Sequence, residues 1–449
     1  MSTTRERIKN VFICLLLVGM LYLTYTVWFF DSPFETVGTD NLFGIDMSFN
    51  TSGEGEGTDL DVFGIRPMSI YVKGDGFSRA SVYESERTDA IYKSLRPLLA
   101  RVFDFHGDMK VADAKVWEEK LSGNGVLLDY FGNIPTGAIC TWLGADVEDN
   151  LYSGRYYLLS ADERNVKLYV KNPNEDEVYS VNTSVSSEEL MSIAAGVNAV
   201  DAVLAGNSEV KDFEAINRET VIASASSKPA VISAYNTYAT FSASVTDGCL
   251  AAFSLGDVSP GTYSEADGTQ VYIADMVTMK ISPAGLVSYT DPREEADETI
   301  GISVEHKGER ALLFEKTEAA RKIAATLASK LPGAGGIYLI SALENGNEAE
   351  VIFGRHINGI PVDMNSGTYF MRVSFRGEMI SDVRANLRGY DITSQSADVL
   401  NLRLVAAAVS GMGKKGDVSL RYADGGNAML SPSWFILSEK ENENELVES

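Results

Sequence analysis

The stretch VFICLLLVGMLYLTYTVWFF, residues 11–30, decides how the chain is organised, because its twenty consecutive residues carry no charge. A helix rises about 1.5 Å per residue, so this stretch covers the roughly 30 Å hydrocarbon core of a bilayer. The flanking charges are Arg5, Arg7 and Lys9 before it and Asp31, Glu35 and Asp40 after it. Basic residues stay on the cytoplasmic side of a membrane. The sequence therefore predicts a single-pass anchor in the cell membrane, with residues 1–10 in the cytoplasm and the bulk of the chain outside.

Two alternatives to an uncleaved anchor fit the sequence less well. A secretory signal has an apolar region of about 7–15 residues and ends at a small-residue cleavage site. This stretch is longer, and it ends in Trp28, Phe29 and Phe30. A lipoprotein signal would use Cys14, but the bulky residues before that cysteine do not form a lipobox.

Three small or polar residues within the predicted anchor are candidates for binding a partner helix in the membrane: Gly19, Thr24 and Thr26. Glycine lets two helices approach closely, and a threonine hydroxyl hydrogen-bonds across the helix interface. Alternatively, Thr24 and Thr26 bond only to carbonyl groups of their own helix. The sequence leaves both interpretations open.

The composition limits the partners and the compartment. The net charge of −25 repels the phosphates of nucleic acids, which excludes them as ligands. Three cysteines in 449 residues are too few for a disulfide scaffold. Such a low cysteine content is typical of proteins on a Gram-positive cell surface. Cys140 and Cys249 are the two cysteines outside the anchor. The sequence allows a bridge between them but favours two buried free thiols.

The alternation of strand and helix patterns predicts an α+β fold, in which antiparallel sheets pack with helices in several domains. The predicted division is a flexible acidic tether at 31–62, an N-terminal α+β domain at 63–222, a β-rich middle domain at 223–310, a C-terminal α+β domain at 311–438 and a disordered acidic tail at 439–449.

Several elements are specific enough to test. In the N-terminal domain we expect a helix over 86–103 with a kink or break at Pro97, a hairpin over 156–160 and 166–170, and a closing helix over 187–204. In the C-terminal domain we expect Thr317 to cap a helix that runs to Leu331. Four strands follow in that prediction, and then a helix over 394–410.

No catalytic signature stands out. The serine-hydrolase, zinc-protease, nucleotide-loop and paired-cysteine motifs are absent. The three histidines, His106, His306 and His356, share no ligand-like spacing, so we predict no catalytic, metal or cofactor site. The 63 acidic residues leave open an envelope hydrolase that uses an acid pair. The tyrosines of 152–157 and 235–238 either line a groove or pack across strands, and packing is favoured.

The order of these elements resembles the YycH/YycI family, whose members are membrane-anchored regulators of an essential cell-wall sensor kinase. The cues are the stretches 67–72, 117–121, 128–130, 134–135, 279–289, 354–362 and 430–436, together with the amphipathic helix through Tyr92, Leu95, Leu98 and Leu99. The last third is also similar to PepSY-like modules.

The resemblance implies a non-enzymatic, extracytoplasmic regulator of a two-component system that controls cell-envelope metabolism. Its implied partners are a sensor histidine kinase and a sister protein of the YycH/YycI type, contacted through the transmembrane helix and the exterior domains. Two alternatives remain: a membrane-tethered binding or assembly module, such as a PepSY-type peptidase inhibitor, and the envelope hydrolase.

Overall fold

The computed structural model describes residues 65–105, 107–146, 152–173, 177–224, 228–256, 258–293, 301–306, 308–364, 369–413 and 415–437. Within these ranges, no helix combines the length and the apolar character that a membrane crossing requires. The predicted anchor, the tether and the acidic tail lie outside the described residues, so they stay predictions.

The fold is mixed α+β and dominated by sheets, with seven α-helices among the described residues. The helices are α1 Ser85–Phe103, α2 Ala114–Leu121, α3 Thr136–Leu143, α4 Ser187–Ala195, α5 Thr237–Ala252, α6 Leu313–Ser329 and α7 Leu402–Gly411.

The strands fall into two long runs along the chain. The first is β1 Ser69–Gly74, β2 Phe77–Val82, β3 Lys110–Ala112, β4 Gly125–Pro135, β5 Ser153–Ala161, β6 Asn165–Lys171, β7 Val178–Ser186, β8 Val200–Leu204 and β9 Val221–Ala223. The second is β10 Ala230–Asn236, β11 Gly261–Ser264, β12 Gln270–Ala274, β13 Val277–Ile281, β14 Leu286–Thr290, β15 Gly336–Asn345, β16 Glu348–Ile357, β17 Ile360–Met364, β18 Met371–Arg376, β19 Met379–Asn386, β20 Arg388–Ser396, β21 Asp417–Asp424, β22 Met429–Leu430 and β23 Pro432–Leu437.

The N-terminal sheet is antiparallel, in the order β9-β8-β2-β1-β4-β5-β6-β7-β3. Its strands are buried on both faces, because successive side chains point to opposite sides of a sheet. Ile70, Val72 and Leu128 pack on the side of α1, whereas Tyr71 and Leu127 pack with Trp117 of α2. This double burial explains the near-continuous apolar runs in β4 and β5.

The C-terminal sheet follows the order β11-β12-β13-β14-β19-β18-β16-β15. Helix α6 covers it with Ala320, Ile323, Ala324 and Leu327. The far end of β16 pairs with β17, which continues through β21 to β23. A parallel bridge between Asn133 of β4 and Ser341 of β15 joins the two sheets. A third, smaller sheet is β20-β10-β22.

Many predicted elements are confirmed, including the helix at 86–103, the hairpin of β5 and β6, and the four strands predicted after α6, which are β15, β16, β18 and β19; β17 was not predicted. Pro97 lies inside α1, which runs as one helix and does not break into two. Cys140 and Cys249 are both buried and free, so the preferred prediction for them is confirmed.

Two helix predictions were wrong at their boundaries. The helix predicted over 187–204 ends at Ala195, because the next apolar stretch pairs as β8 with β2 and β9. The helix predicted over 394–410 begins at Leu402, where the Asn401 side chain accepts from the backbone N–H of Arg403. Its predicted first turn belongs to β20, which pairs with β10.

Thr317 does not cap α6. The helix begins four residues earlier, at Leu313, where the Glu315 side chain accepts from the backbone N–H of Leu312 at 2.8 Å. Thr317 is fully buried, and its hydroxyl donates to the carbonyl of Leu313 at 2.7 Å. Helix α5 was not predicted at all, because few of its residues are large and apolar and only Thr237, Val245, Gly248 and Cys249 are buried.

Candidate functional site

The structure assigns no position to the predicted partner-binding residues Gly19, Thr24 and Thr26, which lie outside the described residues, as does His106. Across the described ranges, no cluster of three His, Cys, Asp or Glu side chains is arranged to hold a metal ion. A group of three largely buried charges instead lies where the N-terminal sheet meets β21.

Three charged side chains form this group, which we call the charge triad: Asp129 of β4, Arg155 of β5 and Asp417 of β21. Arg155 Nε donates to Asp129 Oδ1 at 2.8 Å, and its Nη2 donates to Asp129 Oδ2 at 3.0 Å. Its Nη1 donates to Asp417 Oδ2. All three side chains are less than a fifth exposed. One guanidinium therefore links the N-terminal sheet to a strand that lies some 260 residues further along the chain.

A bulge in β4 shapes the triad. The pairing of β4 with β5 shifts between Asp129 and Ile134, and Phe131 adopts a left-handed backbone with φ 63°. Asp129 Oδ1 accepts from the backbone N–H of Phe131 at 2.8 Å, which offsets part of the cost of that conformation. The guanidinium carbon of Arg155 lies 5.4 Å from the centre of the Phe131 ring and 4.8 Å from that of Tyr156.

An aromatic cluster packs in the same region, where the N-terminal sheet meets β21 and β23, which we call the junction. The Tyr83 ring lies edge-on to Phe131 at 6.0 Å and to Trp434 of β23 at 6.1 Å between ring centres. The Tyr83 hydroxyl accepts from the backbone N–H of Leu420 at 2.9 Å. Burial raises the pKa of Tyr83 to about 12, so this hydroxyl stays protonated and neutral.

The hairpin turn between β16 and β17 packs on the chain after Tyr83. Asn358 and Gly359 both have positive φ, 50° and 81°, as a two-residue hairpin turn of the Asn-Gly type requires. The Asn358 side chain accepts from the backbone N–H of Ser85 at 3.1 Å. A Cβ on Gly359 would lie 3.1 Å from the nitrogen of Glu84, so a larger residue would crowd this contact.

The charges of the triad stabilise one another against the cost of burial. Burial raises the pKa of Asp129, and the guanidinium of Arg155 opposes that rise. Burial likewise disfavours the charged form of Arg155, but Asp129 and Asp417 outweigh it and raise the pKa of the guanidinium. Both carboxylates are occupied as acceptors, so the arrangement is suited to holding strands together.

The other buried carboxylates of the described residues are paired in the same way. Glu219 accepts from Lys171 and from the indole of Trp117, Asp291 accepts from Arg293, and Asp424 accepts from Arg388. A glycosidase-type acid pair needs one carboxyl group free to give up a proton and another free to attack or activate water. These pairings favour a structural role for the buried acids.

His356 gives the folded part a pH dependence that can be measured. Its Nδ1 accepts from the backbone N–H of Gly359 at 3.3 Å, so the ring is neutral. Burial, together with Arg355, lowers the pKa of His356 to about 4. The unfolded chain takes up this proton near pH 6.5, before the folded chain does, so stability falls as the pH drops from about 6.5 to about 4. We expect this residue to account for a loss of up to about 3 kcal/mol.

The measurement is urea unfolding at pH 7 and pH 4.5 for the wild type and for His356→Gln. The variant should show a smaller acid-induced loss of stability than the wild type. His306→Gln is the matched control, because a hydrogen bond to Glu378 raises the pKa of His306. That side chain stabilises the fold at low pH and loses its effect as the pH rises. Equal acid sensitivity of wild type and His356→Gln would contradict the expectation.

Sequence reasoning missed the charge triad, although a signal was present. Asp129 interrupts an apolar run between Leu128 and Tyr130, and Arg155 stands just before Tyr156 in another buried strand. A charge inside a doubly buried strand needs a partner. The sequence does not reveal that Asp417 is one of the partners, because that contact depends on how β21 packs.

Comparison by sequence yields nothing: no family model and no curated protein matches the chain. Among solved structures, the chain is similar to YycH from Bacillus subtilis. The identity is 13%, the alignment covers 85% of this chain and 95% of that chain, and the TM-score is 0.48. The sequence-based resemblance to the YycH/YycI family and this structural neighbour name the same kind of protein, and the likeness is one of fold alone. What the chain does has to follow from its own residues, because a fold does not determine a function.

Proposed function

We propose that this chain is a non-enzymatic, membrane-anchored regulator that acts outside the cytoplasm on the sensor histidine kinase of a two-component system controlling cell-envelope metabolism. The observation that carries the proposal is the charge-free stretch 11–30, with basic residues before it and acidic residues after it. The pairing of the buried carboxylates with basic side chains supports the non-enzymatic part.

The proposal needs a route from the folded part to the kinase. An anchor places the chain beside a partner in the same bilayer, where Gly19, Thr24 and Thr26 offer close approach and interhelical hydrogen bonds. The exterior part biases the kinase between two states only if it contacts those states differently. A charge triad that ties β4 and β5 to β21 makes the two sheets respond together to such a contact. A sister protein of the same type is the second proposed partner.

The test is cross-linking of the full chain in its native membrane, followed by mass spectrometry of the captured proteins. We expect a sensor histidine kinase to be captured by the wild type and lost when residues 11–30 are replaced by an unrelated apolar helix. If Gly19 lies at the contact between the two helices, the variant Gly19→Leu should reduce the amount of captured kinase about tenfold or more, because close helix approach depends on a small residue.

Leu21→Ile is the control within the same helix, because it conserves volume and leaves Gly19, Thr24 and Thr26 unchanged. Capture that survives the helix replacement would show that the exterior part is the binding surface. Capture of envelope enzymes without a kinase would contradict the proposed function.

A further inference from the structure

Arg355 is a buried cation near the end of β16, in the part of that strand that pairs with β17. It lies in β16, where it pairs with Ile337 on one side and Val362 on the other, and the residue is 2% exposed. Its Nη2 donates to the carbonyl of Ala334 at 3.1 Å, and its guanidinium carbon lies 5.4 Å from the centre of the Phe370 ring. Its Nε and Nη1 find no acceptor among the described residues.

The other buried basic side chains of the described part are each neutralised. Arg321 donates from Nε and Nη2 to the carboxylate of Glu318, and Lys316 donates to Glu344 at 2.6 Å. Arg355 has no carboxylate partner in the ranges that the structure describes. An uncompensated buried charge costs several kcal/mol, so proteins retain one where something neutralises it.

The surroundings of Arg355 indicate what the missing group is. The ionisable groups that favour its charged form are the phenols of Tyr390 and Tyr235, both neutral at pH 7, and Tyr235 is only half-buried; the neighbouring His356 is neutral as well. Gly333 and Gly335, both with positive φ, flank the carbonyl that Arg355 uses. One positive charge with aromatic neighbours suits a monoanion that has a flat oxygen-bearing head and an apolar remainder.

We propose that Arg355 binds a small organic carboxylate through its unpaired Nε and Nη1 groups, beside the rings of Phe370, Tyr235 and Tyr390. A monoanion matches the one-to-one pairing that the protein uses for Arg321 and Lys316. A dianionic phosphate would leave a second negative charge without a partner. The site is independent of the anchor and of the proposed kinase contact.

The test is a thermal unfolding series on the full chain in detergent, with acetate, benzoate or inorganic phosphate replacing chloride at constant ionic strength. We expect the Tm of the wild type to rise saturably with a carboxylate, by about 2 °C or more well above its Kd. In Arg355→Met the shift should disappear. Without carboxylate this variant should unfold at the wild-type temperature or above it, because an unneutralised buried charge has been removed.

Two further variants keep the test decisive. Arg384→Met removes a mostly exposed guanidinium and should keep the full carboxylate-dependent shift. Arg355→Lys retains the charge with fewer donors and should weaken the shift without abolishing folding. The proposal is overturned if no carboxylate shifts the Tm of the wild type, if Arg355→Met shifts equally, or if only phosphate produces a shift. A large loss of stability in Arg355→Met without carboxylate would also overturn it.

Discussion

Replacing Arg155 with methionine is expected to destabilise the folded part by about 3–5 kcal/mol, the largest effect of any single side chain in the charge triad. The substitution keeps an unbranched apolar stem but leaves the buried Asp129 and the largely buried Asp417 without their shared cation. It also removes the stacking of the guanidinium on Phe131 and Tyr156. The measurement is urea unfolding of the full chain in detergent, followed by tryptophan fluorescence.

The control is Arg384→Met, because Arg384 pairs with Asp382 while remaining about two-thirds exposed. A surface pair of that kind contributes at most about 1 kcal/mol. The double variant Arg155→Met with Asp417→Asn should recover part of the loss, since one of the two uncompensated charges has gone. A loss for Arg155→Met that is no larger than that of the control would show that the triad is not a structural link.

The same variant reports on coupling between the two sheets. The backbone N–H of Leu420, which donates to the Tyr83 hydroxyl, should exchange with solvent faster once Arg155 no longer holds Asp417. Amides in the centre of the N-terminal sheet, such as that of Leu128, should keep their protection. That pattern would indicate local loosening at the junction.

Local sequence signals predicted those elements that depend on residues lying close together in the sequence. The hairpin of β5 and β6 and the strand β16 are of this kind, because their spacing and turn residues are specific. The segment after Leu387 was misread, because Ser394 resembles a helix cap and the following residues have helical spacing. Pairing with β10, about 160 residues away in sequence, decides that segment, and no local pattern reports such a partner.

The junction shows the same division between what is local and what is not. The Asn358–Gly359 turn belongs to a stretch that was singled out for its family resemblance, and its dihedral angles follow from those two residue types. Its contact with Ser85 does not, since the two lie 273 residues apart in sequence. The charge triad likewise needs three strands in place before Asp417 reaches Arg155.

A second large effect is expected from Gly132→Ala, at the point where β4 crosses β15. A Cβ on Gly132 would lie 2.0 Å from the carbonyl oxygen of Leu339 and 2.6 Å from that of Ile340. Both neighbours are backbone atoms at a bulge of β15, where the pairing with β16 shifts between Leu339 and Ser341. Backbone atoms cannot move aside as the end of a flexible side chain can. We therefore expect Gly132→Ala to lower the free energy of unfolding by at least about 3 kcal/mol.

Gly411→Ala is the matched control for that substitution. Gly411 ends α7, has nothing within 4 Å of its would-be Cβ, and should be neutral or stabilising by up to about 1 kcal/mol when changed to alanine. Because Gly132 and Arg155 act on one junction, the losses of the two single variants should not add in the double variant. If instead they add fully, the crossing of β4 and β15 and the charge triad are separate supports, and a displacement of one sheet would not pass to the other through this junction. If Gly132→Ala changes stability by no more than the Gly411 control, the close approach of the two strands is not a constraint on the fold.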